Sequence, residues 1–496
     1  MKLKKAVFLA IFLFFLSGQI ACPQGELSTG QGMDTRDMDL LSLEDCVRYA
    51  VNNSFEVKLA RLDLLIAETE LMYSEAVYDT FVYGGAGYVE DKRQELSVFA
   101  PDDDQMNTYS IGARKTLPTG TELNAELSDV RQWSNSAFVS KNPSHNAELK
   151  LEAKQPVGSN FFGYVDRTRV TITKLAIMNA DLETRDRIKE LIAKVERAYW
   201  ELASSKRSLD IYWDILEKAR RLHQTNARNY DIGLIEKVDL YASEANVATI
   251  EAEVIIAENR FKRAGEDLKL IMNYPDKRDL LSSDELVPRE IKKDLPSCFK
   301  EAFDNRRDYK IRKRDVKIKG LDLKVNANLM WPEIDLMGTM AMNGLETSFE
   351  KAMGKTTVAD NTYYYAGVEF SFPLENREAL SGYRKAKYEK ESAIVSLKDT
   401  ERTIITQVGN SYRDVVAFEN SLRFMSQAVV FQKEKLEEEE KRFNYGRSNT
   451  KRLIDYQREL LRSQLEETRF LLDSQRSKVD LNRTMNVILS KYEDIL

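Results

Sequence analysis

The sequence predicts a mainly α-helical chain with a minority of β-strands, elongated rather than globular, in which one unit of helix, strands and two long helices is used twice. Three observations carry this. Long stretches repeat apolar residues every three or four positions opposite a charged face, and short stretches alternate apolar with polar residues. The second half of the chain also matches the first at fixed shifts.

The N-terminus comes first. Lys2, Lys4 and Lys5 precede an apolar run, AVFLAIFLFFL (6–16), and then the small and polar residues SGQIAC. This is the layout of a secretory signal over 1–22, too short for a membrane-spanning helix, which needs about 20 apolar residues. Ala21-Cys22 ends as a lipoprotein signal does and makes Cys22 a candidate lipid acceptor, although Gln19 and Pro23 stand where such signals carry other residues. After an N-terminal segment (23–42) no later segment qualifies as a spanning helix. An exported chain of this kind enters a membrane as strands or not at all. Cys46 and Cys298 read as two small buried residues rather than a disulfide.

The repeat orders the remainder. GEDLKLIMN (265–273) returns as KVDLNRTMN (478–486), a shift of 213. The same shift pairs Val195 with Val408, Tyr199 with Tyr412, Gly233 with Gly446 and Leu240 with Leu453. Earlier in each half a shift of 252 pairs Cys46, Ala50, Asn53, Lys58 and Asp63 with Cys298, Ala302, Asn305, Lys310 and Asp315. The predicted units are 43–275 and 295–490, joined by a polar linker at 276–294.

Each unit opens with a helix of about thirty residues (43–76 and 295–330). Alternation then predicts strands over 81–88, 108–117, 121–127 and 147–157 in the first unit and over 333–342 and 363–374 in the second. Two long helices close each unit, at 167–230 and 236–272, then at 379–443 and 449–488. In the first of them Leu191, Val195, Ala198, Leu202, Tyr212, Ile215, Ala219 and Leu222 form one stripe. A rod of that length runs about 96 Å and buries its stripe against neighbouring helices. Ile232-Gly233-Leu234 interrupts it, and the copy at Gly446 marks both glycines as hairpin turns, where an open or left-handed backbone favours glycine.

Four to six strands per chain carry too little apolar residue for a core of their own. In an exported protein the sharper reading is a transmembrane barrel, which lipid allows only if every edge is paired. So few strands cannot close one alone, so several chains would share it. The Leu117-Pro118-Thr119-Gly120 turn adds a hairpin that either joins the barrel or lies outside it.

Composition excludes other classes. With 31% charged residues and a formal charge of −6, the chain has no concentrated basic face for nucleic acid. Its only histidines, His145 and His223, are far apart, which argues against a histidine metal site or a catalytic triad. No nucleophile–base spacing, phosphate-cradling glycine loop or metal cluster is present, so neither an enzyme nor a cofactor is expected. EKLEEEEK (434–441) reads as a solvated helix face near the second turn, Tyr199 and Tyr412 as core residues, and His223 as an exposed helix residue.

With these pieces in order, the chain resembles the TolC-like outer membrane factor (outer membrane efflux protein) family over nearly its whole mature length. LSLEDCVRYAVNNSFEV resembles the family's first-helix signature. Gln155-Pro156-Val157 and Phe372-Pro373-Leu374 resemble its proline-containing exits from strand to helix. RNYDIGL (228–234) and RFNYGRS (442–448) resemble its two hairpin tips. The resemblance implies a homotrimer, with a twelve-stranded barrel in outer membrane lipid continued by a helical tunnel across the periplasm. It implies a passive duct for efflux or type I secretion, docked through a periplasmic adaptor (membrane fusion) protein onto an inner-membrane pump. Carried over, Ile232, Gly233 and Leu234 with Gly446, Arg447 and Ser448 meet the adaptor. The tunnel constriction falls at Arg452 and Asp455, where well-studied members place two aspartates, so Arg452 reverses one charge. Asp239 and Arg447 are then candidates for an ionic lock between hairpins. The competing reading is a non-conducting exported coiled-coil spacer or adhesin of the envelope.

Overall fold

The computed structural model describes residues 38–93, 101, 103–136, 138–288, 293–358 and 360–495. The proposed signal and Cys22 lie outside the described residues. Two helices of 68 residues dominate: α3 (Tyr164–Asp231) and α8 (Arg377–Asn444). At 1.5 Å per residue each runs about 100 Å. Each is followed by a 36-residue helix, α4 (Lys237–Met272) and α9 (Thr450–Met485), folded back antiparallel. All four bounds repeat at the shift of 213.

The helices expected at 43–76 and 295–330 are each broken in two: α1 (Leu43–Asn53) and α2 (Phe55–Glu75), then α5 (Leu295–Asn305) and α6 (Arg307–Asn328). Ser54 leaves the helical region (ψ 137°) and caps the following helix by accepting from the Glu56 amide at 3.2 Å. Arg306 makes the equivalent break. The breaks let the short helices stack end to end on the long ones. Asn273 and Asn486 both adopt left-handed backbones as C-caps. Each donates its side-chain amide to the last residue of a preceding helix, Asn53 O at 3.3 Å and Asn305 O at 2.9 Å. The result is a layer four helices wide at every level: α4, α3, α9, α8 at one end and α2, α3, α6, α8 nearer the sheet.

Six strands form one antiparallel sheet: β2 (Thr80–Asp91), β3 (Asp104–Thr116), β4 (Glu122–Ser134), β5 (Ser144–Pro156), β7 (Glu333–Glu346) and β8 (Thr362–Ser371), paired in that order. The hairpin turning at 117–120 belongs to this sheet, so the described residues supply six strands where a twelve-stranded trimer needs four. The strands run further than alternation indicated. Residues 104–107, 132–134 and 144–146, outside the predicted strands, extend the ladders. At ten to fourteen residues each strand is long enough to cross a bilayer when tilted.

Register sorts the faces, because directly opposed residues point the same way. One line across the sheet reads Ile111, Leu127, Leu149, Met342, and the next Ala113, Ala125, Leu151, Met340. Alternating with them, on the other face, run Ser110, Ser128, Glu148, Asn343 and then Gly112, Glu126, Lys150, Ala341. One face is apolar, the other polar and charged.

Three elements were not expected, two short strands and one short helix. The polar linker contributes β6 (Asp279–Ser282), which pairs in parallel with β1 (Met38–Leu41) against α3 and α4. There Tyr199, fully buried, donates to Asp284 Oδ2 at 2.7 Å and to Leu41 O at 3.1 Å. The short helix α7 (Phe349–Thr356) docks Ala352 backbone-close against Gly344 of β7. Cys46 and Cys298 are buried and unpaired, and burial pushes the Cys46 thiol up to about 12. Among the described residues no helix is long and apolar enough to cross a membrane.

Candidate functional site: the paired hairpin tips

Each long helix ends on a glycine in the left-handed region, Gly233 at φ +73° and Gly446 at φ +69°. The backbone closes identically at both. Leu234 N donates to Asn229 O at 2.7 Å and Gly233 N to Tyr230 O at 2.9 Å; Arg447 N donates to Arg442 O at 2.8 Å and Gly446 N to Phe443 O at 2.9 Å. This pair of bonds is the Schellman motif, which satisfies the last carbonyls of a helix and reverses the chain. Nothing lies within 4 Å of where a Cβ would sit on either glycine. Conformation, not crowding, calls for glycine there.

The side chains differ. At the first tip Ile232 and Leu234 are 69% and 70% exposed, and Val238 is also exposed. At the second, Tyr445 and Arg447 are exposed and Ser448 is half-buried. Apolar side chains held in solvent by a rigid turn are the kind that mark protein contact sites.

Each turn is held from behind by a buried polar residue about two helical turns before its glycine. Asn226, fully buried, donates to Thr450 Oγ1 at 3.2 Å, tying α3 to the start of α9. Its counterpart at the shift of 213 is Glu439, 4% exposed, which accepts from the Ser448 hydroxyl. Arg452 Nη1 lies 3.7 Å from Glu439 Oε1 and Arg442 Nη1 lies 3.8 Å from its Oε2. The sequence reading of 434–441 as a solvated face holds at Glu434, Glu437 and Glu438, which are exposed, and is corrected at Glu439 and Glu440. Glu439 shares the buried stripe of Leu436, and Glu440 beside it is half-buried and raised in pKa by that burial.

Arg452 is paired with Glu439 within its own chain and still half-exposed, and Asp455 is exposed. Asp239 and Arg447 are not brought together; among the described residues neither has an ion pair within the chain. His223, expected in solvent, is half-buried with Nδ1 3.1 Å from Ser243 Oγ. Pro156 ends β5 opposite Asp335, and the chain then hands over to α3 through Val157 N to Ile334 O at 2.8 Å. Pro373 sits two residues past β8, its carbonyl accepting from Asn376 N at 3.1 Å at the start of α8. Among the described residues no cluster of three or more His, Cys, Asp or Glu is placed to hold a metal.

The family pattern described as "Outer membrane efflux protein" matches residues 116–274 and 322–487, more than half of the chain and both long-helix hairpins. The chain belongs to the outer membrane efflux protein family. It is accordingly an outer membrane protein that extends into the periplasm. Solved structures share its fold. The Campylobacter jejuni CmeC outer membrane channel is 13% identical, with 91% of this chain and 88% of that one covered at a TM-score of 0.64. The Vibrio cholerae outer membrane protein VceC is 13% identical over 90% and 96%, TM-score 0.65. The open state of the Neisseria gonorrhoeae MtrE outer membrane channel is 13% identical over 92% and 94%, TM-score 0.66. No curated protein matches the chain.

Proposed function

We propose that this outer membrane efflux protein is the passive outer duct of a tripartite efflux or type I secretion system. In this reading three copies assemble around one axis. The sheet sits in lipid, the helices cross the periplasm, and the tips dock onto an adaptor that joins the duct to an inner-membrane pump. The chain performs no chemistry and divides into two repeats, 43–275 and 295–490, about the 276–294 connection.

One observation carries the reading: a two-faced sheet long enough to span lipid stands at one end of a helical layer of about 100 Å, and two rigid turns end it at the other. A spacer or adhesin needs neither an apolar sheet face nor duplicated rigid tips. Both side edges of the layer also leave apolar residues uncovered, such as Leu62 and Ile255 on α2 and α4 and Ile405 and Phe431 on α8. Head-to-tail contact between unlike edges closes a ring.

Leu234→Asp places a charge where the first tip offers apolar contact, and Gly233→Pro forbids its positive φ. In cells carrying the cognate pump and adaptor, either change abolishes export while cross-linked trimers and membrane insertion persist. Unchanged export would sink the docking role. Absence of conductance from reconstituted protein, with release from membranes by salt alone, would favour the spacer.

A further inference from the structure

We propose that three copies of this chain close a barrel of eighteen strands, each copy pairing its β2 with the β8 of its neighbour. This rests on the trimeric reading above and adds the strand count, the closing edges and the bore.

Among the described residues the ends of the sheet are unpaired, since β2 bonds only to β3 and β8 only to β7. Lipid provides no partner for an open edge, so a sheet in the membrane must close. The two edges suit one another. β2 has twelve residues and β8 ten, and both are exposed along nearly their whole length. β2 leaves the helical layer and β8 returns to it, so across a junction between copies they run antiparallel. An even number of strands per chain is what permits this, and six is even.

The added hairpin of β3 and β4 is part of the wall. Tyr83 of β2 reaches across β3 to donate to Asn124 Oδ1 at 2.8 Å and Glu126 Oε2 at 3.0 Å on β4. Asn124 continues to Glu152 Oε2 on β5 at 3.0 Å. Gly112 makes room, since a Cβ there would lie 2.5 Å from the Tyr83 ring. The polar face is one bonded surface across four strands, and the apolar lines on the opposite face pass through the hairpin at Ile111 and Leu127 without a break. A hairpin lying in water outside the wall has no reason to carry that alternation.

The widths agree. Strands about 4.8 Å apart and tilted by about 40° give six strands an arc of about 38 Å, and four strands only about 25 Å. Four helices packed about 8–10 Å apart, the width of this chain's helical layer, span about 32–40 Å. Six strands therefore sit on four helices without a taper. Three such arcs give a barrel about 36 Å across, against about 24 Å for twelve strands, half as wide again.

The test combines native mass, electron cryomicroscopy in lipid nanodiscs, and spin labels. Expected are three copies and eighteen strands. Labels at Ile111→Cys and Leu127→Cys, introduced singly, should relax with oxygen dissolved in lipid, and labels at Ser110→Cys and Glu126→Cys with a water-soluble nickel complex. Three copies with twelve strands, all four labels meeting water, would overturn the count and leave the trimeric duct standing. Two copies closing twelve strands would overturn the count and the trimer together. Protein that never enters the nanodisc would overturn the duct itself.

Discussion

The two hairpin tips have one backbone and two chemistries. Both close through the same pair of amide–carbonyl bonds on a glycine of positive φ, and both lead into a 36-residue helix. Behind the first stands a neutral amide, Asn226, and in front of it Ile232 and Leu234; behind the second stands a carboxylate, Glu439, among Arg442, Ser448 and Arg452. The comparison separates what a duplicated fold must keep from what it is free to change. Turn geometry is needed twice. The side chains on it are not, and one tip presents apolar side chains while the other is held by charge.

The largest expected effect falls on the charged tip. Arg452→Glu sets a second carboxylate against Glu439, which is 4% exposed and has few alternatives. Losing a pair to a buried charge costs several kcal/mol when both partners are buried; Arg452 is half-exposed and Arg442 remains, so about 2–3 kcal/mol is expected. Hydrogen exchange across 436–455 should accelerate by one to two orders of magnitude, and exchange at 226–243 should not move. Recovery in the Glu439→Lys/Arg452→Glu double variant would tie the effect to the pair; no recovery would assign it to the fold of the turn.

Next come the glycines. Gly233→Ala and Gly446→Ala each force an L side chain into the left-handed region at about 1–2 kcal/mol, with no clash to add. The two losses should match within error, measured as local opening of each hairpin. Unequal losses would show that the tips share less than their backbone suggests. Asn226→Ala leaves Thr450 without its buried partner and should cost about 1 kcal/mol at the first tip. Asp239→Ala, which breaks no ion pair within the chain, should leave both tips unchanged by the same measurement.

Sequence reasoning reached the parts that repeat. A shift of 213 pairs Gly233 with Gly446 and Leu240 with Leu453, and the helices flanking those glycines begin and end at the same shift. It reached less where partners come from far along the chain. Nothing local to 279–282 shows that it pairs with 38–41, and nothing local to Tyr83 shows that it bonds to β4 across Gly112. Glu439 was concealed by composition. Four consecutive glutamates look alike, and only phase distinguishes them: Leu436 lies three residues before Glu439 on the same helical stripe. The match of Glu439 to Asn226 was the available signal, a polar residue in an apolar phase at both copies.

Glu440 supplies the finest test of that phase. It is half-buried, and desolvation raises its carboxyl above the ordinary value of 4.5, with Lys218 pulling the other way. An acid whose folded pKa is raised favours folding in its protonated form. Its contribution is present below the unfolded pKa and is lost as pH rises through the folded pKa. At pH 7 the ionised side chain therefore works against the fold, and Glu440→Gln should raise the melting temperature of the purified protein slightly. Below pH 4 the parent side chain is itself neutral, and the difference should vanish. Glu438, fully exposed and lowered in pKa by its bond to Lys441, should behave in the opposite sense, with Glu438→Gln neutral or slightly destabilising at pH 7. Two neighbours in one run of glutamates, responding with opposite sign, would separate the buried stripe of α8 from its solvated face.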